Sequence, residues 1–139
     1  MASAPSQHVT VPAPVRSPWL VAAVAWFVPG GGHLLLRRRG RGLIILGAVL
    51  LTFVVGILLR GPMFQPHGGD MLTTAIQWGG FIGDLASGVL YLLTVWLGYA
   101  QPDAAGHVHD YGSKLIVAAG LLNILGIVDA WEIATGRKD

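Results

Sequence analysis

The ionisable side chains that interrupt the long apolar stretches of this sequence are its candidates for chemistry. Asp84 lies inside an apolar run, His33 follows three glycines, and a His-x-His-Asp cluster contains His107, His109 and Asp110. The sequence has no cysteine, which excludes thiolate catalysis, disulfides and Cys-based zinc or iron–sulfur sites. It also has no Ser/His/Asp or HExxH arrangement. We therefore predict no enzyme activity and no cofactor.

We expect Asp84 to face other helices rather than lipid. It lies about 14 Å into a hydrophobic segment, where an unpaired carboxylate costs at least ~2.5 kcal/mol. Asn123 lies at a similar depth in the last hydrophobic segment and is the predicted hydrogen-bond partner. Two roles for Asp84 fit this position, a clamp between helices and a site for a proton or another cation.

Imidazole and carboxylate side chains are ligands that suit zinc and similar metals. The candidates are His33, His107, His109 and Asp110, which the predicted topology places on one side of a membrane. Their spacing fixes no close pair of ligands, so a solvated loop is the simpler interpretation and no metal site is predicted. His33 can instead cap the break that the glycines cause, by bonding free backbone groups.

Asp129 and Glu132 lie near the end of the last hydrophobic segment, beside Trp131. A position at the membrane interface explains both carboxylates. Asp129 could also pair with a basic group, and Arg60 is the candidate that the predicted topology places on the same side.

Composition indicates that these residues sit in a membrane protein. The chain has 139 residues, of which 53% are hydrophobic and 12% charged, and its mean hydropathy is +0.62. The apolar residues fall in long blocks, for which a bilayer is the natural solvent. The net charge is only +2 and no basic face is visible, so no nucleic-acid partner is predicted.

We predict an all-α integral membrane protein in which four hydrophobic segments form a small helical bundle. The segments cover about 19–36, 42–59, 74–100 and 115–133, within a transmembrane domain over 18–136. A disordered tail over 1–17 precedes this domain, because Pro12, Pro14 and Pro18 forbid a continuous helix. A polar end over 137–139 follows it.

The first segment is predicted to be broken between Pro29 and Gly32. Proline biases the residue before it away from the helix, and Gly30, Gly31 and Gly32 remove the remaining helical preference. Broken backbone inside a membrane must be covered by protein or water. The segment either spans with a break or is re-entrant, and its total length favours spanning.

A short arginine-rich loop sets the predicted orientation. It contains Arg37, Arg38, Arg39 and Arg41, and basic residues in short loops are typical of the cytoplasmic side. This orientation places the loop at 61–72 and the C-terminus outside and Lys114 inside, and it places the N-terminus outside if the first segment spans. Arg38, Arg41 and their neighbours could equally contact anionic lipid headgroups, and the sequence does not separate the two roles.

Small residues at helical spacing predict where the helices meet, because helices in lipid pack where backbones can approach closely. Such rows occur on three of the segments. They are Ala48/Thr52/Gly56, Gly79/Gly83/Ser87 beside Gly80/Asp84/Gly88, and Ala119/Asn123/Gly126/Ala130.

The break and the arginine loop resemble the pattern of TM2-domain-like small bacterial membrane proteins. The matching positions are Pro29, Gly30, Gly32, His33, Arg38, Arg41 and Gly42, whereas Leu35 and Arg37 depart from the pattern. The ending at 128–138 is similar to the close of an uncharacterised four-helix bacterial family of this type. The resemblance implies a multi-pass inner-membrane protein with a cytoplasmic arginine turn, and it implies no activity.

The leading hypothesis is a structural or accessory membrane protein that contacts lipid, copies of itself or a larger membrane complex. The first alternative is a small oligomeric transporter in which Asp84 carries the coupling proton. The second alternative is a membrane metalloprotein that uses His33, His107 and His109.

Overall fold

The computed structural model describes residues 17–101 and 106–138, and within these ranges it is all-helical. The six helices are α1 (Pro18–Phe27), α2 (Gly31–Leu35), α3 (Arg39–Leu58), α4 (Met71–Ala86), α5 (Val89–Trp96) and α6 (His107–Ala134). The predicted disordered tail lies outside the described residues, apart from Ser17. The sequence therefore predicts the helical class correctly, but the path of the chain differs from four crossing segments.

Helices α3 and α6 form the centre of the fold as an antiparallel pair. A Cβ on Gly56 would lie 2.7 Å from Ile116, and one on Gly126 would lie 3.1 Å from Ile45. Both helices are long and apolar enough to cross a membrane, at 20 and 28 residues, or about 30 and 42 Å. Between them lies a core of Val49, Phe53, Ile116 and Ala119.

The two ends of this pair define the two ends of the molecule. The arginine end contains residues 36–41, at the start of α3, and residues 129–138, at the end of α6. The loop end contains residues 59–70, after α3, and residues 99–101 and 106–114, around the start of α6.

Helices α1 and α2 fold back on each other instead of crossing the molecule. Trp19 contacts Trp131 at the arginine end with a ring separation of 4.7 Å, and the Trp26 carbonyl reaches Asn123, level with the middle of α3. The chain then turns at Gly30, whose φ is +75°, and α2 returns: a Cβ on Gly32 would lie 2.9 Å from Ala25. Both ends of the first segment therefore lie at the arginine end, as the re-entrant alternative predicts, and not at opposite ends of the molecule, as the spanning path predicts.

The third hydrophobic segment is also broken, where the sequence predicted one continuous stretch over 74–100. Helices α4 and α5 meet at an angle of 101°, and Gly88 between them has a φ of +64°. Helix α4 starts at the loop end, and the chain after α5 returns there, because the Tyr99 hydroxyl donates to the Gly61 carbonyl over 3.1 Å. If this pair counted as one span, the described chain would have three candidate spans rather than two. Four spans are not confirmed.

The histidine cluster is helical rather than part of a polar loop over 101–114. Helix α6 begins at His107, eight residues before the predicted start of the last segment. Asp110 lies in its first turn, where a carboxylate interacts favourably with the helix dipole. The loop was predicted because these residues are polar. Polar side chains are nevertheless compatible with a helix that extends beyond its apolar part.

Of the small-residue rows, the one on α6 and the row Gly80/Asp84/Gly88 are buried in full. Ala119, Asn123 and Ala130 have no exposed surface, and Gly126 is also buried. In the neighbouring row Gly79/Gly83/Ser87, Gly83 and Ser87 are buried, whereas Gly79 is exposed. On α3 the predicted row is only partly correct, because Ala48 is exposed and the buried face consists of Gly42, Val49, Phe53 and Gly56.

The antiparallel arrangement places the C-terminal end beside the arginine loop, which corrects the predicted topology. The sequence put these two regions on opposite sides because it let the third segment, over 74–100, cross from one end to the other, whereas α4 and α5 leave from the loop end and return to it. Within the described ranges, six Lys and Arg residues lie at the arginine end and two at the loop end. The six are Arg37, Arg38, Arg39, Arg41, Arg137 and Lys138, and the two are Arg60 and Lys114.

Because the chain has no natural cysteine, single cysteines can report this topology. We expect Gly40→Cys and Thr135→Cys to be labelled from the same side of a sealed membrane by an impermeant maleimide, and Gly68→Cys from the opposite side. All three positions are exposed, so labelling after detergent treatment is the control for reactivity. Labelling of Thr135→Cys from the same side as Gly68→Cys would contradict the antiparallel placement of α3 and α6.

Candidate functional site

Asn123 joins the two helix breaks in the middle of the molecule. Its side chain is fully buried, and its Nδ2 atom donates to the Ala86 carbonyl over 2.9 Å and to the Trp26 carbonyl over 3.3 Å. These carbonyls belong to the last turns of α4 and α1, where helical partners run out. One amide group therefore satisfies a carbonyl from each of the two interrupted helices.

Two glycines, Gly88 and Gly120, allow the backbones to meet at this junction. A Cβ on Gly88 would lie 1.8 Å from the Trp26 carbonyl oxygen, and one on Gly120 would lie 1.7 Å from that of Gly83. No side chain fits at such distances. The Ser87 hydroxyl donates to the Asp84 carbonyl over 2.6 Å, which satisfies another acceptor beside the break.

Asp84 lies inside the bundle, with 1% of its surface exposed, as its depth in the sequence predicts. Its Oδ2 atom accepts a 2.7 Å hydrogen bond from the Phe64 backbone N–H, whereas its Oδ1 atom is buried without a hydrogen-bond partner. The predicted bond between Asp84 and Asn123 is therefore wrong. Similar depth suggested the pairing, but the chain breaks two residues after Ala86 and presents its carbonyls to Asn123 instead.

The loop after α3 covers Asp84 and borders a cavity at the loop end. Ser113 donates to the Pro62 carbonyl over 2.7 Å, and Tyr99 donates to Gly61, so the start of the loop is tied on both sides. Burial raises the pKa of the Tyr99 phenol, and the nearby Arg60 charge opposes this shift. The cavity has a volume of about 390 Å³, and its wall includes Phe64, Gln65, His67, Gln77, Asp110 and Lys114.

A second buried polar group lies at the arginine end. The imidazole of His33 is fully buried, and its Nε2 atom donates to Asp129 Oδ2 over 2.8 Å. Lys138 contacts the other oxygen of this carboxylate, and Arg41 Nη1 lies 4.0 Å from Oδ2. Asp129 thus ties α2, the start of α3 and the C-terminal residues to α6. The proposed pairing of Asp129 with Arg60 is wrong, because Arg60 lies at the opposite end.

The candidate metal ligands do not come together. His33 lies beside Asp129, which is 22 residues from His107 along α6, or about 33 Å at helical rise. No group of three His, Cys, Asp or Glu side chains in the described ranges is placed to hold a metal ion.

Arg38 is the second residue of the arginine loop, beside Arg41, that the sequence singled out. Its backbone N–H donates to the His33 carbonyl over 2.8 Å.

Sequence reasoning missed Trp26, Phe64 and Ser87 as parts of this site. The Ser87-Gly88 pair is a turn signal inside an apolar run, and it could have located the second break. Phe64 and the Trp26 carbonyl carry no local signal, because their roles arise from contacts across 20 and 97 residues of sequence.

A family model described as a family of unknown function (DUF6677) matches residues 20–139. No curated protein and no solved structure matches the chain. The family match carries no information on TM2-domain proteins, so that resemblance stays a prediction.

We expect Asn123→Ala to destabilise the protein by about 1–2 kcal/mol, the range for interhelical hydrogen bonds and buried polar groups that lose their partner. The measurement is unfolding of the purified protein in mild detergent, followed by circular dichroism. Leu125→Ala is the matched control on the same helix, because Leu125 is 66% exposed. Equal stability of the two variants would contradict the role of Asn123 at the junction.

Proposed function

The chain belongs to DUF6677, a family of unknown function, and we propose that it is a multi-pass protein of the cell membrane with a structural or accessory, non-enzymatic role. It acts through helix contacts with copies of itself or with a larger membrane complex. Its two long apolar helices are compatible with a membrane protein.

The observation that carries this proposal is the use of the buried polar groups. Asn123 bonds the carbonyls of two helix ends, Asp84 bonds the backbone of the loop, and the pair of His33 and Asp129 fastens the α2 turn to α6. In membranes such groups act as attachments between helices. The main contacts of these buried polar groups therefore hold an interrupted backbone in place.

The outer surface supports contact with lipid or with other membrane helices. Ile44 and Leu51 on α3 and Leu125 on α6 are 73%, 67% and 66% exposed. Such apolar faces suit acyl chains or apolar partner helices. These exposed residues belong to α3 and α6, the two candidate spans of the described ranges.

Charge supports an orientation with the arginine end in the cytoplasm. Six of the eight described Lys and Arg residues lie at that end, and short basic segments favour the cytoplasmic side. The Trp19–Trp131 contact lies at the same end, as expected of aromatic residues at a membrane interface. The proposed location is the inner membrane of a bacterium, for which the TM2-like resemblance is the support.

Photo-crosslinking tests the accessory role. We expect a benzophenone amino acid in place of Leu51 or Leu125 to give a discrete adduct with a protein of defined mass in living cells. The same amino acid in place of Val49, which is fully buried, should crosslink only within the chain. Adducts with lipid alone at every exposed position would contradict the proposal.

Proton-coupled transport is the second candidate function, and Asp84 is the observation that favours it. Its Oδ1 atom is buried and has no partner. The α1–α2 and α4–α5 pairs enter from opposite ends and meet near the middle, and interrupted helices of this kind hold ions in many transporters. A partner copy would be needed to enclose a pathway in so small a protein.

Reconstitution distinguishes the two candidates. For a transporter we expect a proton-sensitive dye inside proteoliposomes to report flux for the wild type, and Asp84→Asn to reduce that flux by at least about tenfold, or about 1.4 kcal/mol in the barrier. Asp70→Asn is the matched control, because Asp70 is an exposed carboxylate. Wild-type flux no greater than in protein-free liposomes would remove the transporter and leave the accessory role.

A further inference from the structure

We propose that Asp84 is a binding site for a small monovalent cation, a proton or a sodium ion, which is reached from the loop-end cavity and closed by the side chain of Phe64. This inference extends the second candidate function. It concerns occupancy of the carboxyl group, so it holds whether or not ions cross the membrane.

The carboxyl group needs a positive partner that the described chain does not provide. Asp84 is 1% exposed, and only one of its oxygens has a hydrogen-bond partner. The ion pairs of the described residues involve Asp129 and none involves Asp84. A buried carboxylate without a positive charge beside it is costly at membrane depth. Binding of a proton or a sodium ion at the Oδ1 atom, which has no hydrogen-bond partner, would therefore be favourable.

One face of α4 connects this carboxyl group to the cavity. Gln77, Gly80 and Asp84 follow each other at spacings of three and four residues, which places them in one row along a helix. Gln77 lies in the cavity wall, and the Phe64 backbone bonds the carboxyl group at the other end of the row. Gly80 lies between them.

The ring of Phe64 fills the space along this row. A Cβ on Gly80 would lie 2.3 Å from the ring, so the ring occupies the volume that a side chain at position 80 would take. Phe64 also lines the cavity and is half-buried. Rotation of the ring away from Gly80 would open a route from the cavity to Asp84, and the bond from the Phe64 backbone N–H would remain.

The wall of the cavity is polar and carries charges of both signs. Gln65, Gln77 and Gln101 are amide side chains whose oxygens can bind a cation, and Asp110 adds a carboxylate. The other charged or titratable groups of this wall are Lys114 and His67. Arg60 lies near Tyr99 at the same end of the molecule.

Labelling with dicyclohexylcarbodiimide tests the site. The reagent reacts with a protonated carboxyl group in apolar surroundings: the acid adds across one C=N bond to give an O-acylisourea, which rearranges to a stable N-acylurea that keeps all atoms of both reactants. We expect the full-length protein in mild detergent to gain the mass of one reagent molecule at Asp84. Asp84→Asn should lack this adduct.

A second variant tests whether the Phe64 ring closes the route to Asp84, a role that we call the gate. We expect Phe64→Ala to increase the rate of labelling at Asp84 by about tenfold, which corresponds to a barrier lowered by about 1.4 kcal/mol. Phe81→Ala removes a ring of α4 that packs on Trp78 and Tyr91, and it should leave the rate unchanged. Circular dichroism and the elution volume of each variant establish that it is folded, and Phe64→Leu replaces Phe64→Ala if the latter is not.

The cation is identified by competition. Slower labelling in sodium chloride than in N-methylglucamine chloride at constant pH indicates a sodium site, and dependence on pH alone indicates a proton site. Absence of an adduct at Asp84 in both the wild type and the folded Phe64 variant would overturn the site. Equal rates for Phe64→Ala and Phe81→Ala would overturn the gate. Flux in proteoliposomes is a separate readout, so failure of transport and failure of the site can be distinguished.

Discussion

The fold depends on one constraint, which is that backbone carbonyls inside lipid must find donors within the protein. Two helices end near the middle of the molecule, and each would leave acceptors without partners there. Asn123 supplies both of its amide hydrogens to these ends. The breaks of the α1–α2 and α4–α5 pairs therefore have to lie within reach of a single side chain, and this requirement fixes how deep each pair enters.

Glycine makes that requirement possible to meet. At Gly88 and Gly120 the neighbouring carbonyl oxygens occupy the position of a side chain, so the backbones of α1, α4 and α6 come closer than any other residue would allow. Asp84 and the His33–Asp129 pair then secure the two outer parts of the fold, one at each end. The result is a structure in which polar contacts set the path of the chain and apolar contacts between α3 and α6 form the larger of its two apolar clusters, the other being between α1 and α6.

The sequence predicts the elements of this structure better than their connections. The break at Pro29 and Gly30, the apolar stretch of α3 and the buried face of α6 follow from local composition and helical spacing, whereas Gly31 and Gly32, which were predicted to extend the break, are helical. The second break was missed, because Ser87 and Gly88 lie in a run whose hydrophobicity suggested one span. Two contacts depend on the end of the molecule to which each segment returns: the pairing of Asp129 with His33, and the bond from the Phe64 backbone to Asp84. No local sequence pattern encodes the direction in which a segment returns.

The position of Asn123 along the chain has a consequence for biogenesis. A ribosome makes Trp26 and Ala86 well before it makes Asn123, so the two helix ends exist before their common donor. A nascent chain that stops before α6 would therefore lack the donor for both carbonyls, and each carbonyl would need another partner until α6 joins the bundle.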